Sequence, residues 1–144
     1  MCVCTFIGHE QTPCEIKEKL CDQIELLITK YGVDTFFVGT HGNFDRIVYD
    51  SLCQLERKYK ITTKIVLAYL SQKTDWYDLS KTIFPAQLDN VPPKYAISKR
   101  NKYMIEQSNY MICYVDNTQT NAYVFAKMAI KKGLLVFNLG QVKI

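Results

Sequence analysis

The stretch Thr35-Phe36-Phe37-Val38-Gly39-Thr40-His41-Gly42-Asn43-Phe44-Asp45 constrains the fold of this chain more than any other. A short apolar run of strand-forming residues meets a turn, Gly39–Asn43, that holds two glycines. Behind it, Phe44, Ile47, Val48, Leu52 and Leu55 recur at three- and four-residue steps, the spacing of a helix face. Strand, glycine turn and helix together aim backbone N–H groups and a helix N-terminus at an anion, usually a phosphate. The residues therefore point to a nucleotide-type ligand. The turn lacks the full spacing of a dinucleotide or Walker motif.

The same alternation runs through the chain. Residues 2–7 read as an apolar strand ending at Gly8. Thr12-Pro13-Cys14-Glu15 then reads as a helix start, with Thr12 as N-cap, Pro13 at the first helical position and Glu15 closing a capping box. Ile16, Leu20, Ile24, Leu27 and Ile28 form the buried stripe of that helix, which stops near Tyr31-Gly32. A strand at 35–38, a helix at 44–58 and a strand at 63–68 follow. Residues 69–93 read as irregular, because Pro85, Pro92 and Pro93 forbid a continuous helix, and such an excursion is the usual place for a lid or binding loop. A helix over 95–107, a strand over 110–115, a polar turn over 116–121, a helix over 122–132 ending at Gly133 and a strand over 134–139 complete the order. Alternating strands and helices predict an α/β fold in one domain: a Rossmann-like three-layer α/β/α sandwich with a mainly parallel five-stranded sheet. Right-handed crossovers place the turns at 8–13, 39–43, after Tyr69 and at 116–121 along one edge, where open α/β sheets bind ligands.

Composition narrows the function classes. The chain has 144 residues, 48% of them hydrophobic and 22% charged, in the range of an ordinary globular domain. No window approaches the roughly 18–20 apolar residues of a membrane span. Met1 to Gly8 shows no basic leader followed by an apolar stretch, so a cytoplasmic location is expected. The six cysteines are spread over strands and helices, and they read as reduced, mostly buried thiols rather than a disulfide framework or a metal site. The net charge of +4 is mild. The clusters Lys94, Lys99, Arg100, Lys102 and Lys127, Lys131, Lys132 read as solvated helix faces, and neither makes the basic stripe of a nucleic-acid binder.

Four segments also carry a resemblance. Thr5-Phe6-Ile7-Gly8-His9, the stretch from Phe37 to Asp45, Pro92-Pro93-Lys94-Tyr95-Ala96-Ile97-Ser98-Lys99-Arg100-Asn101-Lys102-Tyr103-Met104-Ile105 and Lys132-Gly133-Leu134-Leu135-Val136-Phe137-Asn138-Leu139 resemble, in order, the standalone bacterial SLOG proteins of the YpsA type. The resemblance implies a Rossmann-like fold and a crevice for nucleotides or nucleotide-derived ligands, ADP-ribose-like signals included. It implies no cofactor and no established reaction. Two positions depart from the family pattern. Glu10 stands where members commonly have Arg, and Thr120-Asn121-Ala122 stands where they often have Gly-Gly-Ala. The first replaces a phosphate clamp by a carboxylate. The second restricts close backbone approach, although Asn tolerates unusual backbone angles and its amide can contact a ligand.

The candidate ligand-binding residues are Gly8, His9, Gly39, Thr40, His41, Gly42, Asn43, Asp45, Tyr69, Arg100, Asn101, Asn117, Thr118, Thr120 and Asn121. Each has a plainer reading. Gly39–Asn43 also suits an empty tight turn, Asp45 a helix-dipole carboxylate, and His9 and His41 hydrogen-bonding loop residues. Arg100 and Asn101 suit a structural network, and Tyr69, Trp76 and Tyr77 suit packing beneath a loop. The sequence thus predicts a module that binds a nucleotide-derived small molecule as sensor, carrier or sequestering protein. Homodimerisation through helices is a second partner expectation. One alternative is a nucleoside-monophosphate N-glycosidase of the phosphoribohydrolase kind, with Glu10 as the candidate catalytic carboxylate. The PGGxGTxxE motif of those enzymes is absent from 116–125. A further alternative, single-stranded DNA binding, rests on fold analogy to the DNA-processing branch of the superfamily.

Overall fold

In the computed structural model, which describes residues 1–70 and 76–144, the chain builds one sheet with helices on both faces. The strands are β1 (Val3–Gly8), β2 (Thr35–Val38), β3 (Thr62–Val66), β4 (Thr82–Ile83), β5 (Tyr110–Tyr114) and β6 (Leu135–Asn138). The helices are α1 (Lys17–Tyr31), α2 (Asn43–Leu55), α3 (Pro93–Glu106) and α4 (Asn121–Lys131). The strand order is β4-β3-β2-β1-β5-β6, and every pairing is parallel. This is the expected Rossmann-like sandwich with six strands rather than five.

The sixth strand lies inside the segment read as irregular. Thr82 and Ile83 pair with Ile65 and Val66, and the Leu67 amide donates to the Ile83 carbonyl. Two residues just ahead of Pro85 carry no alternation to detect, so only the pairing to β3 defines them. The lid or binding loop predicted over 69–93 lies partly outside the described residues, which omit 71–75.

Alternation along the central strands sorts the core into two halves. Cys4, Phe6, Phe36, Val38, Ile65 and Ile112 face α1 and α2, meeting Leu20, Ile24, Leu27, Phe44, Val48 and Leu52. Val3, Ile7, Phe37, Val66, Met111 and Cys113 face α3 and α4, meeting Met104, Ile105, Phe125, Ala126 and Ala129. Both faces of β1 are therefore dry, which is why its sequence is a continuous apolar run with only the Thr5 hydroxyl to satisfy; that group donates to the Phe37 carbonyl. Of the cysteines, Cys4 and Cys113 are buried, Cys2, Cys21 and Cys53 half-buried and Cys14 exposed, all as free thiols, so fewer are interior than expected. No described helix is long and apolar enough to cross a membrane.

The start of α1 corrects a second expectation. Thr12 does not cap a helix. Its hydroxyl donates to the His9 carbonyl at 2.7 Å, closing the turn after β1. Pro13 instead precedes a 3₁₀ turn, Cys14–Ile16, that leads into α1 without a side-chain cap. The helix ends as expected at Gly32, whose φ of 72° is left-handed.

Gly8 shows how tightly the end of β1 is packed. A Cβ there would lie 2.2 Å from the Phe44 ring in the first turn of α2. At Gly32 nothing lies within 4 Å, so only the backbone angle resists a side chain. Gly8→Ala should therefore cost about 2–3 kcal/mol by overpacking, and Gly32→Ala only ~1 kcal/mol through its left-handed φ. Urea unfolding of the two variants checks this ranking, and an equal loss would mean that Phe44 moves aside freely.

Candidate functional site

The chain leaves β1 toward one face of the sheet and β5 toward the other, so a crevice opens between their carboxyl ends. It measures about 1070 Å³, large enough for a nucleotide-sized molecule. Of the candidates read from sequence, Gly8, His9, Glu10, His41, Asp45, Arg100, Asn101, Asn117, Thr120 and Asn121 line it. Gly39, Thr40, Gly42, Asn43, Tyr69 and Thr118 do not.

The Gly39–Asn43 turn, nominated as the anion cradle, is largely occupied by the protein itself. The His41 amide donates to Asp45 Oδ2 at 2.9 Å, and the Asn43 amide donates to the Glu10 carbonyl at 2.8 Å. Gly42 has a φ of 91°, and a Cβ there would lie 2.8 Å from Glu10 Cα. Asn43 Nδ2 completes the closure by donating to the Thr12 carbonyl at 2.6 Å. The first post-strand turn thus lies over the second, and the glycine serves their contact.

Arg100 is the unusual residue. It extends from α3 beneath the end of β2 and is 2% exposed. Its Nε donates to Asn101 Oδ1 at 2.9 Å, and Nη1 donates to the Val66 carbonyl at 3.2 Å and to Thr40 Oγ1 at 3.4 Å. A guanidinium has five N–H donors, and the two on Nη2 have no protein partner among the described residues. Gly39 makes room for this arrangement: a Cβ there would lie 2.7 Å from Asp45 Oδ2 and 3.0 Å from Arg100 Nη1. Burial raises the Asp45 carboxyl above its usual range, with Arg100, the His41 amide and the His41 ring opposing that rise. Burial likewise lowers Arg100, against the pull of Asp45 and of Tyr69. Two desolvated opposite charges at the floor of a cleft mark a functional-site candidate.

The wall formed by β5 and α4 is built around a cap. Thr120 Oγ1 accepts from the Tyr123 amide at 3.4 Å and donates to the Asn117 carbonyl at 2.9 Å, while Asn117 Oδ1 accepts from the Gln119 amide. The amides of Asn121 and Ala122, first in α4 and lining the crevice, donate to no protein group among the described residues. They carry the positive end of the helix dipole.

The histidines follow their plainer reading. His9 Nε2 accepts from the Asp116 amide at 2.8 Å, and the ring stands edge-on to Tyr114, so His9 ties the β1 turn to the β5 turn. His41 Nε2 lies 3.1 Å from Glu10 Oε1 at the rim, where both side chains are more than half exposed. Trp76 and Tyr77 stack edge-on, Trp76 also against Tyr49, and both pack on the α1/α2 half of the core. Lys99 and Lys102 are solvated, as expected of a helix face, whereas Arg100 beside them is not.

Sequence reasoning missed Lys94, Ile97, Ser98, Tyr114 and Asp116, which also line the crevice. A signal existed for three of them. Lys94, Ile97, Ser98 and Asn101 follow helical steps of three and four, so they share one face of α3. Among the described residues, no three His, Cys, Asp or Glu side chains gather as a metal site. The fold and the crevice together define a Rossmann-like α/β protein with a cleft of mixed polar and apolar lining at its switch point. Comparison with known proteins finds no family model that matches the chain and no curated protein similar to it in sequence.

Burial lowers the His9 pKa below its ordinary value, with Asp116 opposing. The unfolded chain therefore binds more protons than the folded one just below the ordinary value of about 6.5, and stability falls as pH drops through that window to the folded value. Protonation also removes the acceptor for the Asp116 amide. Melting temperatures measured from pH 7 to pH 5 should drop less steeply in His9→Gln than in the unsubstituted protein. Parallel curves would mean that His9 titrates alike in both states.

Proposed function

We propose that this protein binds a nucleotide-derived small molecule in the crevice between β1 and β5, as a sensor, carrier or sequestering module. The observation that carries the reading is Arg100. A buried guanidinium with three donors held by the protein and two without a partner among the described residues supports the binding of a ligand oxyanion. The free amides of Asn121 and Ala122 supply the second support, since a helix N-terminus favours phosphate. Ile97, Tyr114 and Phe125 in the same lining offer apolar surface for a base or sugar. The phosphate position moves accordingly from the turn after β2, the first choice of the sequence reading, to the α4 and Arg100 side. The resemblance to SLOG proteins agrees with a nucleotide ligand and is part of the same proposal.

Backbone geometry allows a clean test. Asn121 is the first residue of α4, where Pro is well tolerated, and Thr120 before it has the extended backbone (φ −119°, ψ 159°) that Pro requires. Asn121→Pro thus deletes one amide donor and keeps the helix, while Asn121→Ala deletes only the side chain. Nucleotides that raise the melting temperature of the unsubstituted protein should bind Asn121→Pro about tenfold more weakly than Asn121→Ala, the effect of one charge-assisted hydrogen bond. Calorimetric titration of both variants gives the ratio, and equal affinities would exclude phosphate binding at α4.

A further inference from the structure

The charges of the crevice bear on how much phosphate it can hold. Among the described residues, its lining has two cationic side chains, Lys94 and Arg100, against three carboxylates, Glu10, Asp45 and Asp116. His9 adds no positive charge at neutral pH, because its pKa is lowered and its Nε2 accepts from the Asp116 amide. A crevice built for pyrophosphate would show a cationic excess, since like charges brought together in a cleft cost several kcal/mol.

The positions available to a phosphate are limited as well. At the start of α2 the His41 and Asn43 amides already donate to Asp45 and Glu10, and Glu10 fills the space beside Gly42. The approach to α1 runs through Pro13, which has no N–H. Among the described residues, the amides of Asn121 and Ala122 at the α4 terminus and the open Nη2 of Arg100 remain for an anion, whereas the amides of His9, Glu10 and Gln11 share their turn with the Glu10 carboxylate. Asp45 adds an opposite preference. Its Oδ2 is taken by the His41 amide, while Oδ1 has no hydrogen-bond partner among the described residues and accepts only donors.

We infer that the crevice selects a ligand with a single phosphate and a remainder rich in hydroxyl or amino donors, a nucleoside monophosphate or a ribose phosphate, and rejects ligands that carry a pyrophosphate. This rests on the proposed nucleotide binding and narrows it. The phosphate meets the α4 amides and the guanidinium, and a sugar hydroxyl or an amino group donates to Asp45. A second phosphate extending along the crevice meets Glu10 or Asp116.

Calorimetric titration with the four nucleoside 5′-monophosphates, ribose 5-phosphate, the corresponding diphosphates and ADP-ribose tests the inference. The best monophosphate should bind about tenfold or more tightly than its diphosphate and than ADP-ribose, with the gap widening at low salt, where charge repulsion is least screened. The variant Glu10→Gln/Asp116→Asn, which keeps the shapes of both side chains and the Asp116 acceptor atom for the Gln141 amide, should reduce that gap to about threefold or less. Diphosphates or ADP-ribose binding as tightly as the monophosphate would overturn the inference and leave nucleotide binding standing. A gap that survives the double substitution would overturn its electrostatic cause. Absence of binding by every probe would overturn the inference and the proposed function together.

Discussion

The structure depends on how one guanidinium is buried. Arg100 crosses from α3 to the end of β2, where a charged group out of water requires partners on every side. It finds the Val66 carbonyl, the Thr40 hydroxyl, Asn101 Oδ1 and the nearby Asp45 carboxylate. Each comes from a different local constraint. Val66 ends β3, Thr40 follows β2, Asp45 lies in the first turn of α2, and Asn101 neighbours Arg100 on α3. Gly39 is the residue whose missing side chain lets these groups meet. The same arrangement leaves Nη2 without a protein partner among the described residues. One side chain therefore joins the two layers of the fold and supplies the site with its most desolvated cation.

A second contact decides where a ligand does not go. The turn after β1 folds onto the turn after β2 through the Asn43 amide and the Glu10 carbonyl, the Asn43 side chain and the Thr12 carbonyl, and the space above Gly42. These bonds satisfy donors that a strand-glycine-helix unit ordinarily offers to phosphate. Among the described residues, the α4 terminus has no such internal acceptor for the Asn121 and Ala122 amides. The two strand-to-helix turns thus have opposite fates. One is closed by the chain itself and the other is left open.

Much of the architecture was legible in the sequence because burial on both faces writes continuous apolar runs, as at residues 3–7 and 110–115, and helix stripes such as Leu20, Ile24 and Leu27 follow their period. The exceptions are instructive. Thr12-Pro13-Cys14-Glu15 has the residues of a capping box, yet the Thr12 hydroxyl closes its own turn instead, a tertiary preference that no local pattern reveals. Thr82-Ile83 is a strand only by virtue of its neighbour β3. In the site, the glycines read as ligand contacts also make room within the protein: Gly8 for Phe44, Gly39 for Asp45 with Arg100, and Gly42 for Glu10. A missing side chain signals close approach, but the sequence does not say by what. Arg100 stood among lysines that are solvated, and only packing distinguishes it from them.

The central claim is that the unsatisfied Nη2 of Arg100 is a ligand contact, and a crystal structure of the protein with a nucleoside monophosphate tests it most directly. The account predicts density in the crevice between β1 and β5, with a ligand oxygen within about 3 Å of Nη2. Nη2 bonded to a group of the protein itself, with the nucleotide elsewhere or not held at all, would contradict it.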